Sequence, residues 1–137
     1  MIVIDASVAN KLLFTAEEGH AQAKSLFERH IGNIEHILVP DLLFYECANT
    51  LVTKGHVSQR QITLSLSKLY KANLQICIPN EQDMKQVAKL ARLHRVTVYD
   101  MLYAAIAKKR KIVLITADER FVEKTRFRFV KLLQDLL

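Results

Sequence analysis

The 137-residue sequence contains no tryptophan, only three glycines, two prolines and two cysteines. So little Gly and Pro in a chain that is 50% hydrophobic and 25% charged excludes a disordered or low-complexity polymer. The length suits a single globular domain over 1–137 and is too short for two. No apolar run approaches the ~20 residues that span a bilayer. The opening run Ile2–Ile4 meets Asp5 at once, which leaves no room for a signal peptide. A cytoplasmic protein with no membrane partner is therefore expected. Cys47 and Cys77 form no CxxC pair and, in a reducing compartment, read as small buried hydrophobes. The five histidines show neither HExxH nor a paired zinc spacing. No Gly-rich phosphate loop is present, which excludes a P-loop nucleotide hydrolase.

Positive charge, by contrast, is in excess: 20 Lys and Arg face 14 Asp and Glu, a formal charge of +6. That balance favours polyanionic partners, nucleic acid first, although a solvated basic surface has the same composition. The informative residues are the acids of so basic a chain.

Short apolar runs alternate with helix-length amphipathic segments. Ile2-Val3-Ile4, Ile37-Leu38-Val39 and Ile112-Val113-Leu114-Ile115 are continuous and β-branched, as in parallel strands covered on both faces. Leu74 to Ile78 and Phe127 to Val130 are interrupted by polar residues and read as edge strands. One helix is bracketed by Pro40 at its start, Asp41 in its first turn, Lys54 in its last and Gly55 beyond. Ser58 with Gln61 forms a capping box, Asn80 caps a helix running to about His94, and a further helix begins near Asp100 and ends in Lys108-Lys109-Arg110-Lys111. The alternation predicts an α/β domain with a central parallel sheet and helices on both faces.

In such sheets the ligand crevice lies at the carboxyl ends of the strands, where the winding direction reverses. Asp5 follows the first strand, Asp118 follows the Ile112 strand, and Asp100 heads the helix feeding that strand, so all three belong to one edge. Asp100, Tyr103, Ala104 and Ala107 share one helical stripe. Glu46 is different: the apolar stripe of its helix is Phe44, Cys47, Ala48, Leu51 and Val52, and periodicity leaves Glu46 and Asn49 opposite, in solvent. Taken singly, Asp5, Ser7, Thr116 and Asp118 are all helix-capping types, and Asp100 is a plausible first-turn acid. Convergence on one edge alters that balance. Carboxylates ~5 Å apart repel by ~3 kcal/mol at an effective dielectric of ~20, so a cluster requires a cation or protons. Oxygen donors without His or Cys select a hard ion, Mg²⁺ or Mn²⁺.

The strings IVIDASVANKLLFTAEE, VPDLLFYECANTLVTKG, VTVYDMLYAAIAKKRK and VLITADERF, in this order, closely resemble the PIN-domain nucleases, especially the VapC toxins of prokaryotic toxin–antitoxin pairs. The resemblance runs over nearly the whole chain. It implies a three-layer α/β/α sandwich with strand order 3-2-1-4-5. It places the family's acidic quartet on Asp5, Glu46, Asp100 and Asp118, and so brings Glu46 into the crevice; the accompanying small polar residues fall on Ser7, Asn49 and Thr116. Some relatives carry a further acid or amide near the position of Phe121, where this chain offers only Glu119.

The implied activity is a metal-dependent endoribonuclease, with Asp5, Asp100 and Asp118 as direct ligands of one or two Mg²⁺ or Mn²⁺ ions, Glu46 acting through water or on the nucleophile, and Ser7, Asn49 and Thr116 orienting the carboxylates. Lys11, Lys108, Lys109 and Arg110 are candidate contacts to RNA phosphates. The expected partners are an RNA substrate, a small antitoxin protein and a second copy in a homodimer. The stripe Ile62, Leu66 and Leu69 is available to the core or to such a partner. Two alternatives are a housekeeping RNA-processing nuclease and a non-catalytic RNA-binding module on the same fold. A HAD-type aspartyl phosphotransferase is disfavoured, because it wants a second Asp where this chain has Ser7.

Overall fold

The computed structural model describes residues 1–54 and 56–136. Strands β1 (Ile2–Ile4), β2 (Ile37–Pro40), β3 (Gln75–Cys77), β4 (Val113–Thr116) and β5 (Val130–Leu132) form one parallel sheet in the order β3-β2-β1-β4-β5. Helices α1 (Ala6–Leu13), α2 (His20–Ile31), α3 (Leu42–Thr53), α4 (Gln59–Lys71), α5 (Glu81–His94), α6 (Val98–Arg110) and α7 (Glu119–Thr125) fill the connections. Right-handed crossovers place α1 to α4 on one face and α5 to α7 on the other, which is the expected sandwich. The β-branched runs lie where burial on both faces demands them: Val3, Ile4, Ile37 and Val39 are fully buried.

The winding direction reverses between β1 and β4. Ile4 pairs with Ile115 across that boundary, so the next residues of both strands, Asp5 and Thr116, emerge side by side at the carboxyl edge. Among the described residues no helix is long and apolar enough to cross a membrane. Cys47 is buried, Cys77 is half-buried, and both are free thiols.

Several local expectations shift. Pro40 ends β2, paired in register with Cys77, and Asp41 takes the position before α3. Gly55, expected as the stop after that helix, lies outside the described residues. The Ser58–Gln61 capping box forms, and the expected cap Asn80 is itself part of a second box with Asp83. Helix α6 starts at Val98, two residues before Asp100, because the Thr97 hydroxyl accepts from the Asp100 N–H at 3.1 Å and caps the helix there. The last strand lies later than expected: Phe127 and Phe129 stack with centroids 5.0 Å apart, and pairing with β4 begins at Val130.

Candidate active site

The site begins at the β1–β4 switch point. Asp5 caps α1, accepting from the Val8 N–H at 3.2 Å, so its structural and its site role coincide. The Ser7 hydroxyl donates to Asp5 Oδ1 and the Thr116 hydroxyl to Asp5 Oδ2, each at 2.5 Å. Those hydroxyls are held in turn: Ser7 Oγ accepts from the Ala117 N–H at 2.8 Å, and Thr116 Oγ1 from the Asp118 N–H at 3.0 Å. One relay thus locks Asp5 to the loop carrying Asp118. Asp118 itself caps α7, accepting from the Phe121 N–H at 3.1 Å.

The other two acids arrive from opposite layers. Asp100 stands in the first turn of α6, above buried Tyr103, Ala104 and Ala107, as its stripe predicts. Glu46 projects from α3 and is half-buried, not solvated as periodicity suggests. Its Oε1 accepts from the Tyr103 hydroxyl at 2.6 Å. The real inward face of α3 is Leu43, Phe44, Cys47 and Leu51, while Val52 is 66% exposed. The buried arc is therefore rotated toward Glu46.

A cavity of about 260 Å³ is lined by Asp5, Glu46, Asp100 and Asp118, together with Ser7, Asn49 and Tyr103. Thr116 is fully buried behind Asp5. Burial pushes the Asp5 carboxyl up to about 6, against the lowering effect of its Ser7, Thr116 and Val8 hydrogen bonds and with added repulsion from Asp100. Burial also raises Glu46, where Asp100 adds repulsion and the Tyr103 hydrogen bond opposes it. Asp100 is raised by burial and by Asp118, against the Thr97 hydroxyl and the Lys124 ammonium. Burial is the main cause at all three, and the neighbouring carboxylates add to it by disfavouring one another's charge, a cost that a bound cation would relieve.

Asn10 lines the same cavity and was not singled out by sequence. Its amide donates to Thr50 Oγ1 at 3.3 Å, while its Oδ1 is buried without a partner. An orphaned oxygen beside four acids matches a cavity that receives a cation or its water. Glu46 Oε2 and Asp118 Oδ2 also lack a donor among the described residues. The carboxylates face one cavity without closing into a ready three-ligand cage. The donor chemistry, oxygen throughout, fits Mg²⁺ or Mn²⁺.

The expected cations lie elsewhere. Lys11 pairs with Glu17 at 3.3 Å. Lys108, Lys109 and Arg110 occupy the far end of α6, ~13 Å along the axis from Asp100, and Lys109 pairs with Asp83 at 2.7 Å. Arg95, Arg120 and Lys124, none of them singled out by sequence although Arg120 lies within VLITADERF, line the cavity next to the acids. Glu119 turns away, accepting from Gln134 at 2.8 Å, and Phe121 is core.

The PIN domain family matches residues 2–126. The chain is 32% identical over 127 residues to ribonuclease VapC3 of Pyrobaculum aerophilum, covering 90% of this chain and 93% of that protein. It is 23% identical over 100 residues to exonuclease VapC9 of the same organism, covering 73% and 75%. Among solved structures, VapC20 of Mycobacterium tuberculosis, a sarcin-ricin loop cleaving toxin, superposes with a TM-score of 0.70 at 15% identity, covering 90% of this chain and 94% of that one. DNA-bound VapBC from Salmonella typhimurium gives 0.67 at 17% identity, covering 96% and 97%. By sequence match and by strand order alike, this chain belongs to the PIN domain family.

Proposed function

We propose that the protein is a divalent-metal-dependent endoribonuclease acting as a VapC-type toxin. The observation that carries this reading is the single cavity that gathers Asp5, Glu46, Asp100 and Asp118 with no nitrogen or sulfur donor. VapC3, a ribonuclease at 32% identity, supports the same chemistry. Asp5, Asp100 and Asp118 would hold Mg²⁺ or Mn²⁺, which supplies a water of lowered pKa and neutralises charge on the scissile phosphate. Ser7 and Thr116 fix both Asp5 oxygens, so that Asp5 cannot rotate away. Glu46, steadied by Tyr103, is placed to orient the attacking water and accept its proton. Asn10 Oδ1 is a second acceptor for that water, and exposed Asn49 lies at the rim on α3. Lys11, Lys108, Lys109 and Arg110 would touch only RNA that extends beyond the cleavage site.

The fold shared with VapBC from Salmonella supports a small antitoxin partner, and a cytoplasmic location would suit the proposed RNA substrate. We also infer a homodimer. Leu69 of the α4 stripe is consumed by the core, Ile62 and Leu66 are half-buried, and nearby Leu64 and Tyr70 are 59% and 60% exposed. Light scattering showing a monomer mass at micromolar concentration would remove the dimer.

The decisive experiment offers purified protein a circular RNA and its linear form with Mg²⁺, with Mn²⁺ or with EDTA. An endonuclease opens the circle. Degradation of the linear form alone would instead establish an exonuclease, the activity that VapC9 is named for.

A further inference from the structure

Three cations stand beside the acids. Arg95 ends α5 in a left-handed conformation, φ 58°, Arg120 lies in the first turn of α7, and Lys124 lies in its last. All are exposed, and none is in an ion pair among the described residues. The Lys124 ammonium donates to the Arg95 carbonyl oxygen at 3.1 Å, which ties the α5–α6 turn to α7. Together the three line a cavity of about 300 Å³ whose wall includes Asp100 and Asp118, the two acids it shares with the acidic cavity. The first turn of a helix is where the dipole disfavours a cation, so α7 itself gives Arg120 no stabilisation there. An anion seated between it and Lys124 would reverse that.

We propose that Arg95, Arg120 and Lys124 form a phosphate-binding subsite for the RNA phosphate adjacent to the scissile one. This rests on the nuclease reading above. A cavity of carboxylates repels a polyanion, so affinity for RNA must come from outside it, and these are the cations that border it directly. A strand whose reacting phosphate faces Asp100 and Asp118 passes its neighbouring phosphate over their shared wall into the basic cavity. The subsite grips backbone and not bases, so it sets the path of the strand without reading sequence. Its contact is equal in the ground and transition states, and its loss should therefore appear in KM and not in kcat.

The test uses the intact chain and a labelled single-stranded RNA of mixed sequence in MgCl₂. Cleavage rates are measured on the wild-type background, and binding over a KCl series on the Asp5→Asn background. Arg120→Gln with Lys124→Gln should raise Kd and KM about tenfold, leave kcat within about twofold, and flatten the slope of log Kd against log salt by about 0.7 for the one phosphate released. Lys124→Arg alone, which keeps the charge, should leave KM at the wild-type value. Lys24→Gln with Arg29→Gln, an equal loss of charge on exposed positions of α2, should leave KM and slope unchanged. If the wild type cleaves while the double variant keeps its KM and salt slope, the subsite is overturned and the nuclease reading stands. If the wild type never cleaves RNA, the nuclease reading falls and takes the subsite with it.

Discussion

The Tyr103 hydroxyl on α6 donates to Glu46 Oε1 on α3 at 2.6 Å, joining the two helical layers across the acidic cavity. Burial, with Glu46 alongside, raises the Tyr103 phenol well above its ordinary range, so it remains a proton donor at any working pH. Tyr103→Phe should therefore keep the fold, since the ring is buried among apolar groups, yet release Glu46. Cleavage should drop about tenfold, in line with loss of a charge-assisted hydrogen bond. Glu46→Gln should lose most of the activity. Full activity in both variants, with matched circular dichroism, would remove Glu46 from the chemistry.

Asp5 links the site to stability. Its carboxyl rises from 3.8 to about 6 in the folded protein, chiefly through burial, so the folded state binds the proton more tightly than the unfolded one. The stabilisation is therefore present at low pH and is lost as pH climbs from about 4 to about 6, by about 3 kcal/mol in the metal-free protein. Asp5→Asn should flatten that dependence and melt higher than wild type at neutral pH without metal. Added Mg²⁺ or Mn²⁺ should raise the wild-type melting temperature, and do so less for Asp5→Asn or Asp100→Asn. A wild-type melting curve indifferent to metal would count against the site.

Away from the cavity, His30 staples the opposite end of the sheet. Its buried ring accepts from the Ile37 N–H at 3.0 Å through Nδ1 and faces the Asn73 carbonyl oxygen at 3.1 Å through Nε2, which assigns the proton to Nε2. His30→Ala leaves both backbone groups unpaired and opens a cavity, and should cost ~2–4 kcal/mol in urea unfolding. A change below ~0.5 kcal/mol would show that water replaces the ring.

Much of this was legible in the residues. Continuous β-branched runs at Ile2, Ile37 and Ile112 revealed the inner strands, and the positions of Asp5, Asp100 and Asp118 relative to strand ends placed them on one edge. Glu46 was not legible from periodicity, because Ala48 and Val52 pull the apparent apolar stripe of α3 away from its true inward face. Tyr103 held the clue: a buried tyrosine one turn after Asp100 requires a polar partner across the crevice. The β5 register was obscured by Phe127 and Phe129, whose mutual stacking outside the sheet mimics alternation. Arg95, Arg120 and Lys124 carry no local signal, since only the topology brings the end of α5 and α7 together.

A toxin makes a demand that a housekeeping nuclease does not. Induced expression of the wild type alone should arrest growth, with RNA sequencing showing a few discrete cleaved ends in structured RNAs. Arrest should disappear in Asp118→Asn and Asp5→Asn at matched soluble level. Unimpaired growth alongside metal-dependent cleavage by the purified protein would point to a housekeeping nuclease.

The most direct measurement compares purified wild type and Asp100→Asn on one RNA with Mn²⁺. Asp100 is half-buried, repelled by Asp118 and shared by both cavities, and the amide keeps its shape while removing the charge that would hold the ion. Wild type should cleave and EDTA should stop it, with Asp100→Asn slower by about a hundredfold or more. Cleavage by Asp100→Asn at the wild-type rate would contradict the carboxylate site.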